Sequence, residues 1–61
     1  MYIGIATNLK TASQFFTTVC KTRSQARMEA MKISDYRGRR ENFKISSHTL
    51  AIFKGMQDEQ V

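Results

Sequence analysis

Alternating apolar positions near the start of the chain predict a first β-strand over residues 2–7. In an extended chain Ile3 and Ile5 share one face, and Gly4 and Ala6 share the other. The face with Gly4 and Ala6 carries almost no side-chain bulk. We therefore expect a helix or another backbone to approach that face closely.

A second strand is predicted to lead directly into a helix. Residues 14–21 are rich in β-branched and aromatic side chains, which favour strands. Residues 24–33 consist mainly of helix-forming residues. Thr22 and Gln25 have the spacing of a capping box, in which each side chain bonds a free backbone N–H at the helix start.

The predicted helix has a narrow apolar stripe made of small side chains. Ala26, Ala30 and Ile33 recur at helical spacing, and Tyr36 closes one edge of the stripe. Small residues at its centre allow the helix to lie close to a sheet. Gly38 is predicted to end the helix in a left-handed conformation.

A third strand is predicted over residues 43–54, with an irregularity inside it. Phe43 and Ile45 occupy odd positions, whereas Leu50 and Ile52 occupy even ones. A strand with one buried face cannot change parity without an extra residue, so we expect a bulge or bend within residues 46–49. A four-residue hairpin at the same place is the alternative, although turn-forming Gly, Asn and Asp are absent there.

These elements predict a small α+β fold of the order β-β-α-β. The helical connection is long enough for a right-handed crossover, which would place the first strand in the centre, antiparallel to both neighbours, in the order 2-1-3. The order 1-2-3 is the alternative. Residues 1–54 would form a single domain, and residues 55–61 a frayed C-terminal tail.

One sheet face is predicted to need a covering from outside the chain. Phe15 and Phe16 are adjacent, so in a strand they point to opposite faces. A single helix can cover only one of them. We therefore expect Phe15 or Phe16, together with Met28 outside the helical stripe, to form an exposed apolar surface for a partner or a second copy.

Composition and charge narrow the class of partner. The chain of 61 residues has ten Lys and Arg against five Asp and Glu, a formal charge of +5. Residues 1–54 hold all ten bases and three of the acids, hence +7. A basic body favours acidic partners such as an acidic protein, a nucleoprotein, DNA or RNA. The chain has no apolar run long enough to span a membrane, and the lone Cys20 suits a reducing cytoplasm.

Two groups of basic residues are candidate sites for an anion or an acidic partner. Arginine binds carboxylate or phosphate through two parallel N–H bonds, so a local cluster can form an anion site. Solvated charge at a helix end is the alternative explanation. The candidates are Arg37, Arg39, Arg40 and Lys44 at one end of the helix, and Lys21, Arg23 and Arg27 at the other.

No pattern in the chain indicates catalysis, a metal or a cofactor. A Cys–His nucleophilic pair would need Cys20 and His48 to meet beside an orienting group, whereas a cysteine within an apolar strand is usually a core residue. We therefore expect a non-catalytic regulator or inhibitor that docks on an acidic protein or nucleoprotein. Direct binding of DNA or RNA is the alternative, and a homodimer through the uncovered face would also satisfy the apolar residues.

The predicted order of elements resembles, in outline, that of small phage proteins that block host machinery. Inhibitors of host RNA polymerase and of CRISPR complexes include compact strand-strand-helix-strand units of about this length. The resemblance rests on element order alone. It implies a phage-type inhibitor.

Overall fold

The computed structural model describes residues 1–59, with side chains for residues 1–56. A three-stranded antiparallel sheet and two α-helices form the α+β fold, so the fold class is confirmed and a second helix is added to it. In chain order, the elements are β1 (Tyr2–Asn8), β2 (Gln14–Phe16), α1 (Arg23–Arg37), a 3₁₀ turn (Arg40–Asn42), β3 (Phe43–Thr49) and α2 (Leu50–Glu59).

The sheet has the strand order β2-β1-β3, as predicted. β1 is antiparallel to both neighbours, which makes β2 and β3 parallel to each other. A parallel pair needs a long crossover, and α1 lies within the connection between β2 and β3. β2 is therefore one edge of the sheet and β3 the other.

The predicted irregularity in the third strand is wrong. Pairing between β1 and β3 runs without interruption from Tyr2↔Thr49 to Asn8↔Phe43. The strand ends at Thr49, whose hydroxyl accepts a hydrogen bond from the backbone N–H of Ile52 and so caps α2. The change of parity that suggested a bulge marks the change from strand to helix.

The C-terminal segment is helical where the sequence predicted a strand and then an irregular tail. Helix α2 includes residues 50–54, assigned above to the third strand, and residues 55–59 of the predicted frayed tail. Its half-buried side chains, Leu50, Phe53 and Met56, recur every three residues, which is helical spacing. Residues 60 and 61 of the predicted tail lie outside the described residues.

A shift of one residue in strand register does occur, but between β1 and the segment that follows β2 rather than in β3. Phe16 pairs with Ile5 in β1, whereas Cys20 pairs with Tyr2 in an isolated bridge. The step from Phe16 to Cys20 is four residues, whereas the matching step in β1, from Ile5 to Tyr2, is three. One extra residue in one of two paired segments is a β-bulge. The bulge shortens the second strand from the predicted residues 14–21 to Gln14–Phe16.

Thr17 repairs the hydrogen bonding at this bulge. Its buried hydroxyl accepts a 2.8 Å bond from the backbone N–H of Gly4 and donates a 2.8 Å bond to the carbonyl of Thr18. A buried N–H without a partner is costly. The side chain of Thr17 thus supplies the acceptor that the regular ladder would have supplied.

Replacing Thr17 by valine should lower the free energy of unfolding by about 1.5 kcal/mol, because the isosteric methyl leaves the buried Gly4 N–H unpaired. Urea denaturation followed by circular dichroism measures the change. Thr18→Val is the matched control, since Thr18 is exposed and contributes only its carbonyl. Equal effects of the two substitutions would contradict this role for the hydroxyl.

Helix α1 begins as predicted and lies directly on the flat face of β1. The Thr22 hydroxyl accepts a 3.1 Å bond from the backbone N–H of Gln25, which is the first half of the capping box. Ala26 and Ala30 are fully buried against the sheet. A methyl group at Gly4 would overlap the carbonyl oxygen of Ala26, so glycine permits the close approach.

Two expectations for the end of α1 are wrong. Gly38 has φ 161°, which is extended rather than left-handed backbone. Tyr36 is 87% exposed and does not close the buried stripe. Ser34, one turn beyond Ala30, takes the buried position, and its hydroxyl donates a 2.6 Å bond to the carbonyl of Met31. The buried line of α1 therefore turns away from Tyr36.

Both faces of the sheet are covered by helices of this chain. Phe15 lies on the α1 face, packed against the cluster of Ala6, Ala30 and Phe43. Phe16 points to the opposite face, as adjacent strand residues must. There its ring packs edge-on against Phe53 of α2, with centroids 5.2 Å apart.

The second face is therefore not bare, and that expectation is corrected. α2 contacts β1 and β3, and Ile3 and Ile5 are only 7% and 3% exposed. The premise for a partner or second copy on this face is lost, because the segment expected to extend the third strand folds over the sheet instead. Within residues 1–59, neither helix is long and apolar enough to cross a bilayer.

Candidate binding groove

An open groove of about 530 Å³ lies between α1 and the edge strand β2. Its surface is mainly apolar, because Phe15 and Ile33, which both pack against the core cluster, contribute to the lining. Charged side chains of α1 lie around the opening. The lining residues are Gln14, Phe15, Phe16, Glu29, Lys32, Ile33, Tyr36 and Arg37.

Arg37 is the basic residue best placed to bind a ligand in the groove. Its guanidinium lies over the ring of Phe15, 4.6 Å from the centroid, a cation–π arrangement that holds the planar group in place. It forms no ion pair with the side chains of residues 1–56. Its N–H groups can therefore bind a carboxylate through two parallel bonds.

Lys32 and Glu29 form a weak pair on the same rim. The ammonium and carboxylate are 3.5 Å apart, and their side chains are 67% and 41% exposed. Exposed pairs of this type contribute little to stability, so an incoming carboxylate can compete for Lys32. The rim thus offers two cations: Arg37, whose guanidinium is positioned by the Phe15 ring, and Lys32, whose weak pair with Glu29 leaves it able to bind a ligand.

Arg40 is less available than the sequence suggested. Arg40 donates two bonds to the carboxylate of Asp35, at 2.6 and 3.2 Å. The hydrogen bond from Arg40 lowers the pKa of Asp35, and the same bond raises the pKa of Arg40. The favourable contribution of this pair is present above the unfolded-state pKa of Asp35 and is lost as pH falls through the lowered folded-state pKa.

Arg39 lies on the surface with its guanidinium 3.6 Å from the carboxylate of Glu41. The structure thus places Arg37 alone of the three neighbouring arginines on the groove. Lys44 follows Phe43, a residue of the α1 face, so the side chain of Lys44 points to the opposite face. Binding of an anion or a partner by all four residues together stays a prediction.

The second basic group lies at the far end of α1. Arg23 and Arg37 are the first and last residues of the helix, about 21 Å apart at 1.5 Å per residue. The guanidinium of Arg23 is 5.4 Å from the centroid of the Tyr2 ring, and Lys21 and Arg27 are exposed nearby. Binding of a partner by this group stays a prediction.

Phe16 and Met28 are both exposed, at 43% and 56%. Phe16 is the more exposed of the adjacent phenylalanines, but both line the groove. Met28 is not among the groove residues and lies on α1, away from the sheet. A partner-binding role for Met28 therefore remains a separate prediction.

Cys20 and His48 lie on opposite faces of the sheet. Cys20 pairs with Tyr2, and His48 pairs with Ile3, the next residue of β1. Directly paired residues share a face, and neighbouring residues do not. These two side chains therefore do not form a nucleophilic pair. Among the described residues, no cluster of three or more His, Cys, Asp or Glu side chains could hold a metal ion.

Five groove residues were not predicted as site residues from the sequence: Gln14, Glu29, Lys32, Ile33 and Tyr36. The available signal was positional, since Glu29, Lys32 and Tyr36 recur at spacings of three and four on one side of α1. Only the strand order shows that this side faces the open edge of β2. Without that order, the three residues are indistinguishable from a solvated helix face.

Comparisons with known proteins leave the groove to be interpreted from its own geometry. No protein-family model matches the sequence. No curated protein and no solved structure matches it significantly.

Proposed function

We propose that this protein is a small non-catalytic binding protein, a regulator or inhibitor that docks on an acidic protein or nucleoprotein through the groove between α1 and β2. The observation that carries the proposal is the combination in one open groove of an apolar floor and a cation, Arg37, held over Phe15. Apolar contact supplies affinity, and the arginine selects a carboxylate.

The charge of the whole body supports an acidic partner. Residues 1–54 carry +7, which raises the rate of encounter with anionic surfaces. The lone buried Cys20 fits a reducing compartment, so the proposed location is the cytoplasm. A phage-type inhibitor is one member of this class.

Direct binding of DNA or RNA is the second candidate, and the basic group at the start of α1 favours it. Lys21, Arg23 and Arg27 are all exposed, and positive charge at a helix N-terminus does not stabilise the helix. A polyanion backbone would contact such a group without using the groove.

Fluorescence anisotropy with three labelled polymers tests the proposal. They are a random copolymer of glutamate and tyrosine, a generic DNA duplex and a single-stranded RNA, each titrated at about 0.15 M salt, where exposed charges are largely screened beyond about 8 Å. The copolymer should bind at this ionic strength because it offers both rings and carboxylates.

Two variants of equal charge locate the binding surface. Arg37→Gln should weaken copolymer binding about fivefold, the equivalent of about 1 kcal/mol for a charge-assisted bond. Arg27→Gln removes the same charge outside the groove and should change the affinity for the copolymer less than about twofold. Equal losses would contradict the groove. Binding of DNA or RNA alone, with a steep salt dependence, would establish the second candidate instead.

A further inference from the structure

We propose that the partner enters the groove as an extended segment that adds a fourth strand to the sheet beside β2. This inference rests on the proposed function and specifies how the acidic partner is held. The occupant is a segment of a foreign acidic protein in which a large apolar residue and a carboxylate residue alternate on one side. Three features of the described residues support it: the outward-facing backbone of β2, the shape of the groove and its charge.

The hydrogen bonds of the β1–β2 hairpin fix which residues of β2 face its neighbour. The N–H of Asn8 donates to the carbonyl of Ser13 at 2.8 Å, and the N–H of Thr17 donates to the carbonyl of Gly4 at 3.0 Å. In an antiparallel pair, bonded and non-bonded residue pairs alternate. Odd-numbered residues of this segment therefore direct their backbone bonds to β1.

Gln14 and Phe16 consequently direct their N–H and C=O groups to the open edge. Only Phe15, between them, bonds to β1 through its partner Ala6. The edge thus offers two donors and two acceptors in the arrangement that an added strand needs. Three residues of β2 span about 10 Å at 3.3 Å per residue, so a segment of a few residues is sufficient.

The groove lies where the side chains of an added strand would go. Every second side chain of that strand would share a face with Phe15 and enter the space bordered by Ile33 and Tyr36. A large apolar side chain fills the floor. A carboxylate two positions away, on the same face, is within reach of Arg37, which lies over Phe15.

Charge complementarity selects a foreign acidic segment over a second copy of this chain. Pairing of two β2 edges about a twofold axis would bring two copies of Lys32 and Arg37 towards each other, across a body that already carries +7. Like charges in an interface are unfavourable. An acidic segment neutralises the same cations.

Selection of binding peptides tests the mode of docking. A displayed library of random peptides is selected on the full-length protein at about 0.15 M salt, and enriched peptides are synthesised and checked for displacement of the glutamate–tyrosine copolymer. Enriched sequences should alternate, with an apolar residue and an acidic residue two positions apart. An enriched set without this alternation, or no enrichment over uncoated support, overturns the inference.

Backbone methylation separates strand addition from simple groove filling. Each peptide nitrogen is methylated in turn, which removes one donor and keeps every side chain. Losses of about tenfold should recur at every second residue, with less than about twofold change between them. If a peptide that displaces the copolymer loses the same affinity at every methylated position, the added-strand inference is wrong. The proposed function would remain intact.

Amide exchange gives the matching observation on the protein. Deuterium exchange at the Gln14 and Phe16 amides should be fast in the free protein. In the peptide complex it should be slower by about tenfold or more, because both N–H groups become hydrogen-bonded to the peptide. Unchanged exchange at these two amides contradicts the inference. Protection without peptide, in a species that sediments as a dimer, would assign the edge to a second copy and also overturn it.

Discussion

Replacing Gly4 by alanine is expected to leave a large part of the protein unfolded at room temperature. The added methyl would overlap the backbone oxygen of Ala26 and lie 2.9 Å from its carbonyl carbon and 3.0 Å from the Cγ2 atom of Thr17. Backbone atoms cannot rotate away, so α1 has to move off the sheet. We expect the free energy of unfolding to fall by about 3 kcal/mol or more, which is most of what a domain of this size has.

The other two glycines are matched controls for this substitution. A methyl at Gly38 would meet the Phe43 ring at 3.6 Å, an ordinary contact, and a methyl at Gly55 would meet no atom of the described residues within 4 Å. Gly38→Ala should therefore be nearly neutral, and Gly55→Ala should stabilise helix α2 by up to about 1 kcal/mol. Urea denaturation compares the three variants. Similar midpoints for Gly4→Ala and Gly38→Ala would contradict the close contact between α1 and β1.

Removing the ring of Phe53 should expose the second face of the sheet. Phe53→Ala deletes the partner of Phe16 and opens the cover over Ile3 and Ile5. A fully buried phenylalanine costs 3–5 kcal/mol when truncated, and for the half-buried Phe53 we expect a loss of about 2 kcal/mol. Thermal and urea unfolding both measure this loss.

The neighbouring residue of α2 provides the control. Ile52 is 56% exposed and points away from the sheet, so Ile52→Ala should change the stability by less than about 0.5 kcal/mol. A similar loss from both truncations would mean that α2 does not present Phe53 to Phe16. The account of a sheet covered on both faces would then be wrong.

The central part of the fold could be predicted because local signals agreed with one another. Alternation in β1, the Thr22 cap and the small residues of α1 all indicate a helix lying on a flat strand. A helical crossover makes β2 and β3 parallel, which allows both the order 2-1-3 and the order 1-2-3, and the structure has the first of these. Adjacent placement of Phe15 and Phe16 likewise fixes their opposite directions.

Helix α2 could not be separated from a strand by apolar pattern alone. Leu50 and Ile52 suggest alternation, whereas Leu50, Phe53 and Met56 suggest a helix, and a short segment supports both periods. Thr49 as a cap was the signal that favoured the helix. Assigning the segment to a strand removed the cover from the second face and led to the wrong expectation of a bare sheet face.

The candidate groove depends on contacts that no local pattern contains. Arg37 was identified as a basic residue, but its position over Phe15 requires α1 to cross the edge strand. The pairing of Arg40 with Asp35 likewise follows from the turn after α1. Charge density in the sequence therefore identified a region that includes the groove residue Arg37, whereas the position of each basic side chain came from the structure.

The most direct test of the groove is a map of amide chemical-shift changes on the ¹⁵N-labelled protein during titration with the glutamate–tyrosine copolymer. The account predicts that the largest changes lie in β2 and in the second half of α1, at Phe15, Ile33 and Arg37, the residues that line the groove. Changes concentrated around Arg23 and Arg27, or on α2, would contradict it.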